Sequence, residues 1–143
     1  MLGWAARLHE LGLAIAHSQY QLHGAYVLQH SDIAGFSLQE QQVLAALVRS
    51  HRRKVPGKAF DAIPDRLLAD TKRVAALLRL AVLLHRSHEA AELPELRATA
   101  KRDALSLTLP ARWLDQRPLL RADLDSEPAD MAGLGIALGI RAD

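Results

Sequence analysis

At Pro94 the hydrophobic period of the chain changes. Upstream of it, apolar residues recur at three- and four-residue spacing, the pattern of helices that share a core. Downstream, Leu105, Leu107 and Leu109 alternate with Ser106 and Thr108, the two-residue period of a half-buried strand. This switch limits the fold class to mainly α: an all-α unit over residues 1–93, then a small α+β unit over about 94–143. A length of 143 residues permits one ordinary core, or a core with a small appendage. Half of the chain is hydrophobic and 24% is charged, the balance of a globular protein. With aromatics at 4%, the core must be built from Leu, Ala, Val and Ile, which suits helix packing.

Within the first unit, Trp4, Leu8, Leu11 and Ile15 predict a helix over 2–16, and Ala25 and Leu28 a second over 21–30. Ser37 and Glu40 form a capping-box signature that opens a third helix through Val43, Leu44, Leu47 and Val48 to about His51. Pro56-Gly57 stops any continuation. A fourth helix is expected over 70–89, buried through Val74, Leu77, Leu78, Ala81 and Leu84, with Lys72, Arg79 and Arg86 seven apart as a basic stripe. After the strand at Leu105–Leu109, 118–124 is a second strand candidate and Ser126-Glu127-Pro128 a helix start. The segment 133–140 reads as a last strand.

Charge is distributed unevenly. Residues 41–60 contain no Asp or Glu, while Arg49, Arg52, Arg53, Lys54 and Lys58 bring a local charge of +5 to a chain whose net charge is +2. Such an island suits a phosphate-bearing or other anionic partner. Its plain alternative is a solvated loop whose cations complement the dipole at a helix C-terminus.

Other chemistries lack their residues. There is no cysteine, so disulfides, thiolate metal sites and cysteine nucleophiles are excluded. No GxSxG, P-loop or GxGxxG occurs, and His9-Glu10 is followed four residues on by Leu13 rather than by a second metal-binding His. His85 and His88, three apart, have suitable ligand spacing, but Arg86 between them repels a cation. No apolar run reaches the ~20 residues of a membrane span. With no signal-peptide pattern at the start, a cytoplasmic location is expected.

Several stretches resemble one family in order: Trp4-Ala5-Ala6-Arg7-Leu8-His9-Glu10-Leu11-Gly12, then His17-Ser18, Tyr20, His23-Gly24-Ala25-Tyr26 and Leu28. They continue with Gly35-Phe36-Ser37, then Leu47-Val48-Arg49, His51-Arg52-Arg53-Lys54, and Leu78 to Leu84 with Arg86-Ser87. Together they resemble the C-terminal region of exopolyphosphatases and guanosine pentaphosphate phosphatases. The tail, including Trp113 and Glu127, fits the family's last small domain more weakly.

The resemblance implies an HD-like helical domain followed by the small α+β part. It implies a degenerate HD metal site, with Glu10 where the His-Asp doublet needs Asp, His85 where a final Asp would stand, and His9 beside them. It also implies that catalysis, with a divalent metal such as Mg, belongs to a preceding pair of actin-like domains, so no cofactor is expected in this chain. The expected role is a polyphosphate-binding and dimer-forming module, with His51, Arg52, Arg53, Lys54, Lys58, Arg86 and His88 as contacts. For Arg86 a salt bridge within the chain's own fold, for example with Glu10, is the structural alternative. A second reading is a metal-dependent HD phosphohydrolase using His9, His85 and His88. Nucleic acid is a weaker partner, because no aromatics interleave the basic residues to stack bases.

Overall fold

The computed structural model describes residues 1–86 and 93–143. Helix α1 spans Leu2–Leu8 and a 3₁₀ turn spans Leu11–Ala14, so the single helix expected over 2–16 is interrupted. The cause is a close approach to α2, Tyr20–His30. A Cβ on buried Gly12 would lie 1.8 Å from the Tyr20 carbonyl oxygen and 2.7 Å from the Gly24 nitrogen. Gly12→Ala should therefore cost about 2 kcal/mol by pushing the turn off α2, read as a lower denaturant midpoint. An unchanged midpoint would show that the turn is free to shift.

Helix α3, Leu38–Ser50, starts as its sequence dictates. The Glu40 amide donates to Ser37 Oγ at 3.2 Å, and the Ser37 amide donates to Glu40 Oε2 at 2.8 Å. The Ser37 amide and, also at 2.8 Å, the Ser37 hydroxyl donate to the Glu40 carboxyl and hold it below its usual range. Val43, Leu44, Leu47 and Val48 are buried, as the periodicity requires, and α3 is the central helix of the core. The amide of buried Gln41 donates to the Leu28 and Ser31 carbonyls, tying α3 to the end of α2.

Helix α4 runs Asp65–His85, starting five residues before the expected position; Pro64 precedes it and Asp65 complements its N-terminal dipole. Its expected continuation to residue 89 lies outside the described residues. The helix is rotated from its predicted face: Ala75, Ala76, Leu78 and Leu80 are buried, while Leu77 and Ala81 are exposed. The basic stripe is accordingly broken, because Arg79 is only 1% exposed.

Beyond residue 93, β1 (Arg97–Lys101) and β2 (Ala104–Leu109) form an antiparallel hairpin, with Lys101 opposite Ala104 across a two-residue turn. Leu105, Leu107 and Leu109 point into the core, as their alternation predicts. A short helix, α5 (Ala111–Asp115), leads to α6 (Pro118–Ala132), and β3 (Ala137–Ala142) pairs in parallel with β2. Two expectations fail here. Residues 118–124 are helix rather than strand, and Ser126-Glu127-Pro128 lies within α6 rather than starting a helix. Pro118 occupies the first helical turn, and the inward positions Leu120, Leu124, Glu127 and Met131 follow helical spacing. Strand β3 begins later than residue 133 because 133–136 close the end of α6, with Leu134 donating to the Met131 carbonyl at 2.9 Å. Strand β1 was not predicted: Arg97–Lys101 is exposed throughout, and the only apolar residues in its alternation are Ala98 and Ala100, too small to mark a buried face. The protein is nevertheless mainly α, with one three-stranded sheet in order β1-β2-β3. Its apolar core runs continuously from Leu44 and Leu78 to Leu107, Leu124 and Met131.

Candidate functional site

Between the α1 end, the 3₁₀ turn, the α3 end, α4 and α6 lies a cleft of about 850 Å³. Its residues come from sequence-distant elements, and one buried ion cluster fixes three of those elements together. Arg79 on α4 donates from Nε to Glu127 Oε1 at 2.5 Å and from Nη2 to Glu127 Oε2 at 3.1 Å. Nη2 also reaches Asp130 Oδ2 at 3.2 Å, and Nη1 donates to the Ser50 carbonyl at 2.7 Å. That carbonyl belongs to the last turn of α3, which has no helical donor of its own to meet it. Arg79 thus caps α3 while its fork grips α6, and the residues that follow Ser50 are delivered to the cleft.

The first of these is His51, 1% exposed and set against the rings of His9 and Tyr20, with centroids 5.1 Å and 5.7 Å away. Its Nδ1 meets the Val48 carbonyl at 2.6 Å. Burial lowers its pKa from 6.5 to about 4, the Val48 bond opposes that shift, and the nearby charges of His9, Arg52 and Arg79 reinforce it. Arg52 follows, its guanidinium 4.5 Å from the Tyr20 ring centroid. Arg53 also borders the cleft and turns the chain with a left-handed φ of 58°.

The predicted residues therefore divide. His51, Arg52, Arg53 and Arg86 line the cleft, whereas Lys54 and Lys58 are exposed beyond it. Arg86 pairs with Asp123 Oδ2 at 3.1 Å, so its carboxylate partner is on α6 rather than being Glu10. His88 lies outside the described residues. His9, Glu10 and His85 border the same cleft, yet among the described residues no three His, Cys, Asp or Glu side chains are placed to hold a metal ion. The chemistry of this donor set does not fit a resident divalent cation, with Arg52, Arg53 and Arg86 on the same walls. Sequence reading missed Tyr20 as a support for Arg52 and missed the Arg79 cluster. Arg79 stands between Leu78 and Leu80 on a helix whose other face is polar, and that placement was the available signal.

No helix among the described residues is long and apolar enough to cross a membrane. The family model for Ppx/GppA phosphatase, domain III, matches residues 1–128. Among curated relatives, a guanosine-5'-triphosphate,3'-diphosphate pyrophosphatase of Vibrio cholerae is 39% identical over 144 residues, covering 98% of this chain and 28% of the relative. The enzyme of the same name from Pseudoalteromonas translucida is 35% identical over 136 residues, covering 94% of this chain and 27% of the relative. The chain therefore spans little more than a quarter of these relatives' length, and with domain III matched along most of its residues it belongs to the Ppx/GppA phosphatase family.

Proposed function

We propose that this chain is the polyphosphate-binding and self-associating part of a larger phosphatase that releases the terminal phosphate of inorganic polyphosphate or guanosine pentaphosphate. On this reading the bond-breaking groups, and a divalent metal such as Mg, belong to the rest of that enzyme, which works in the cytoplasm. The observation that carries the reading is the rim of the cleft. Arg52 and Arg53 border it and Lys54 and Lys58 extend the charge outward, and among the described residues no carboxylate pairs with any of the four. Unpaired cations in a row attract a chain of phosphates and release its counterions. Arginine adds fork-like contacts to phosphate oxygens. The Tyr20 face under Arg52 lowers the cost of ordering that side chain.

Calorimetric titration with long-chain polyphosphate at several salt concentrations tests this. The triple variant R52Q/R53Q/K54Q should bind more weakly, with a slope of log affinity against log salt about 2 units shallower. The same affinity and slope as the wild type would remove the assignment. Charge-matched single-stranded DNA should bind less tightly than polyphosphate, as among the described residues Tyr20 is the only Phe, Trp or Tyr lining the cleft and Arg52 covers its face. Self-association is suggested by the exposed apolar side chains of Trp4, Leu13 and Ile15, and light scattering should give twice the chain mass. A monomer mass at all concentrations would confine the role to binding.

A further inference from the structure

The floor of the cleft is more selective than a patch of charge. His9 and His51 each direct Nδ1 at a main-chain carbonyl, Ala6 at 2.8 Å and Val48 at 2.6 Å. A carbonyl oxygen only accepts, so each ring carries a proton on Nδ1, and in the uncharged His51 ring Nε2 is a lone pair. In His51 this Nε2 is buried and has no hydrogen-bond partner among the described residues. A buried acceptor without a donor is unfavourable. The cations on the same walls, Arg52, Arg53 and Arg86, are donors only. The site therefore asks for a ligand that is anionic and also carries a donor. An internal phosphate of a polyphosphate chain has no proton to give. A terminal phosphate, with a second pKa near ~6, does, and so does a sugar hydroxyl beside a phosphate.

We propose that the cleft floor is a subsite for a phosphoryl group accompanied by its own O–H donor, with His51 Nε2 accepting from that O–H and Arg52 and Arg53 taking the anionic oxygens. Water does not reach Nε2 in this structure, and the half-buried His9 ring packed against it is the group that yields to the ligand. The subsite rests on the polyanion-binding reading and refines it: the outer rim holds any phosphate, while the floor distinguishes an end from a middle.

The test compares tripolyphosphate, a linear chain, with trimetaphosphate, a ring of equal phosphorus content and no end, by calorimetry with the 143-residue chain at pH 6 and pH 8. Charge alone favours the linear probe most at pH 8, where it carries more negative charge than at pH 6. The subsite predicts the reverse, a linear-over-cyclic preference about tenfold larger at pH 6. His51→Leu should abolish that pH-dependent gain and leave rim binding. His51→Gln, which offers an amide oxygen near the same place, should keep part of it and guards against loss by misfolding. GTP against 2',3'-dideoxy-GTP identifies the donor: a hydroxyl preference assigns the sugar, and a linear preference alone assigns the phosphate end. Binding of all four probes with no preference that depends on His51 would overturn the subsite and leave the rim intact. No binding of any probe would overturn both readings.

Discussion

Glu127→Leu should destabilise the fold by about 3–5 kcal/mol, the usual cost of stranding a buried charge. The charge stranded is that of Arg79, 1% exposed, whose other acceptors among the described residues are the Ser50 carbonyl and the half-buried Asp130. Arginine does not escape by losing its proton. Arg79→Met instead leaves the buried Glu127 carboxylate without its fork, and this variant should also lose stability. The double variant R79M/E127L removes both charges and should be closer to wild type than the sum of the singles by at least ~2 kcal/mol. Urea unfolding of the four proteins at pH 7 measures this cycle. Single losses below ~1 kcal/mol would mean that the cluster is wetter than its burial indicates. The consequence for the site is positional: freeing the Ser50 carbonyl from Arg79 loosens the end of α3, so Arg52 and Arg53 should bind polyphosphate more weakly although neither is altered.

Local signals in the sequence translate directly into structure, and long-range ones do not. The Ser37 and Glu40 box, the α3 periodicity and the Leu105–Leu109 alternation need only neighbouring residues, and each element forms where they place it. The 2–16 helix fails because the obstacle is the backbone of α2, which no local pattern reveals. Residues 118–124 fail because Leu119, Leu120 and Leu124 suit either period over so short a window; the full length of α6 settles the choice, with Leu119 82% exposed and Leu124 buried. The site shows the same division. The acid-free stretch marked Arg52 and Arg53, but the ion cluster that anchors them joins residues 48 positions apart, Arg79 and Glu127. Arg86 illustrates the converse, since spacing put it on a basic stripe and folding gave it Asp123.

Acidification should unfold this protein earlier than its carboxylates alone would, and His51 is the reason. Its pKa is 6.5 when free and about 4 in the fold, because a charged ring is poorly solvated there and Arg52, Arg79 and His9 add repulsion. Between those values the unfolded chain binds the proton that the native chain refuses, so stability falls as pH falls. The contribution is fully present above pH 7. About 2 kcal/mol of it is lost by pH 5 and about 3 kcal/mol by pH 4, at 1.36 kcal/mol per unit. Carboxylates contribute mostly below pH 5, so the interval from pH 7 to pH 5 isolates the histidine. His51→Gln cannot titrate. Its stability should be lower than wild type at pH 7, where the Val48 contact is disturbed, and nearly flat down to pH 5, so that the two curves converge on acidification. Urea midpoints at pH 7, 6 and 5 for both proteins decide it. Parallel curves would show that the His51 ring takes up its proton without unfolding, and the uncharged Nε2 on which the end-reading subsite depends would then be absent at pH 6.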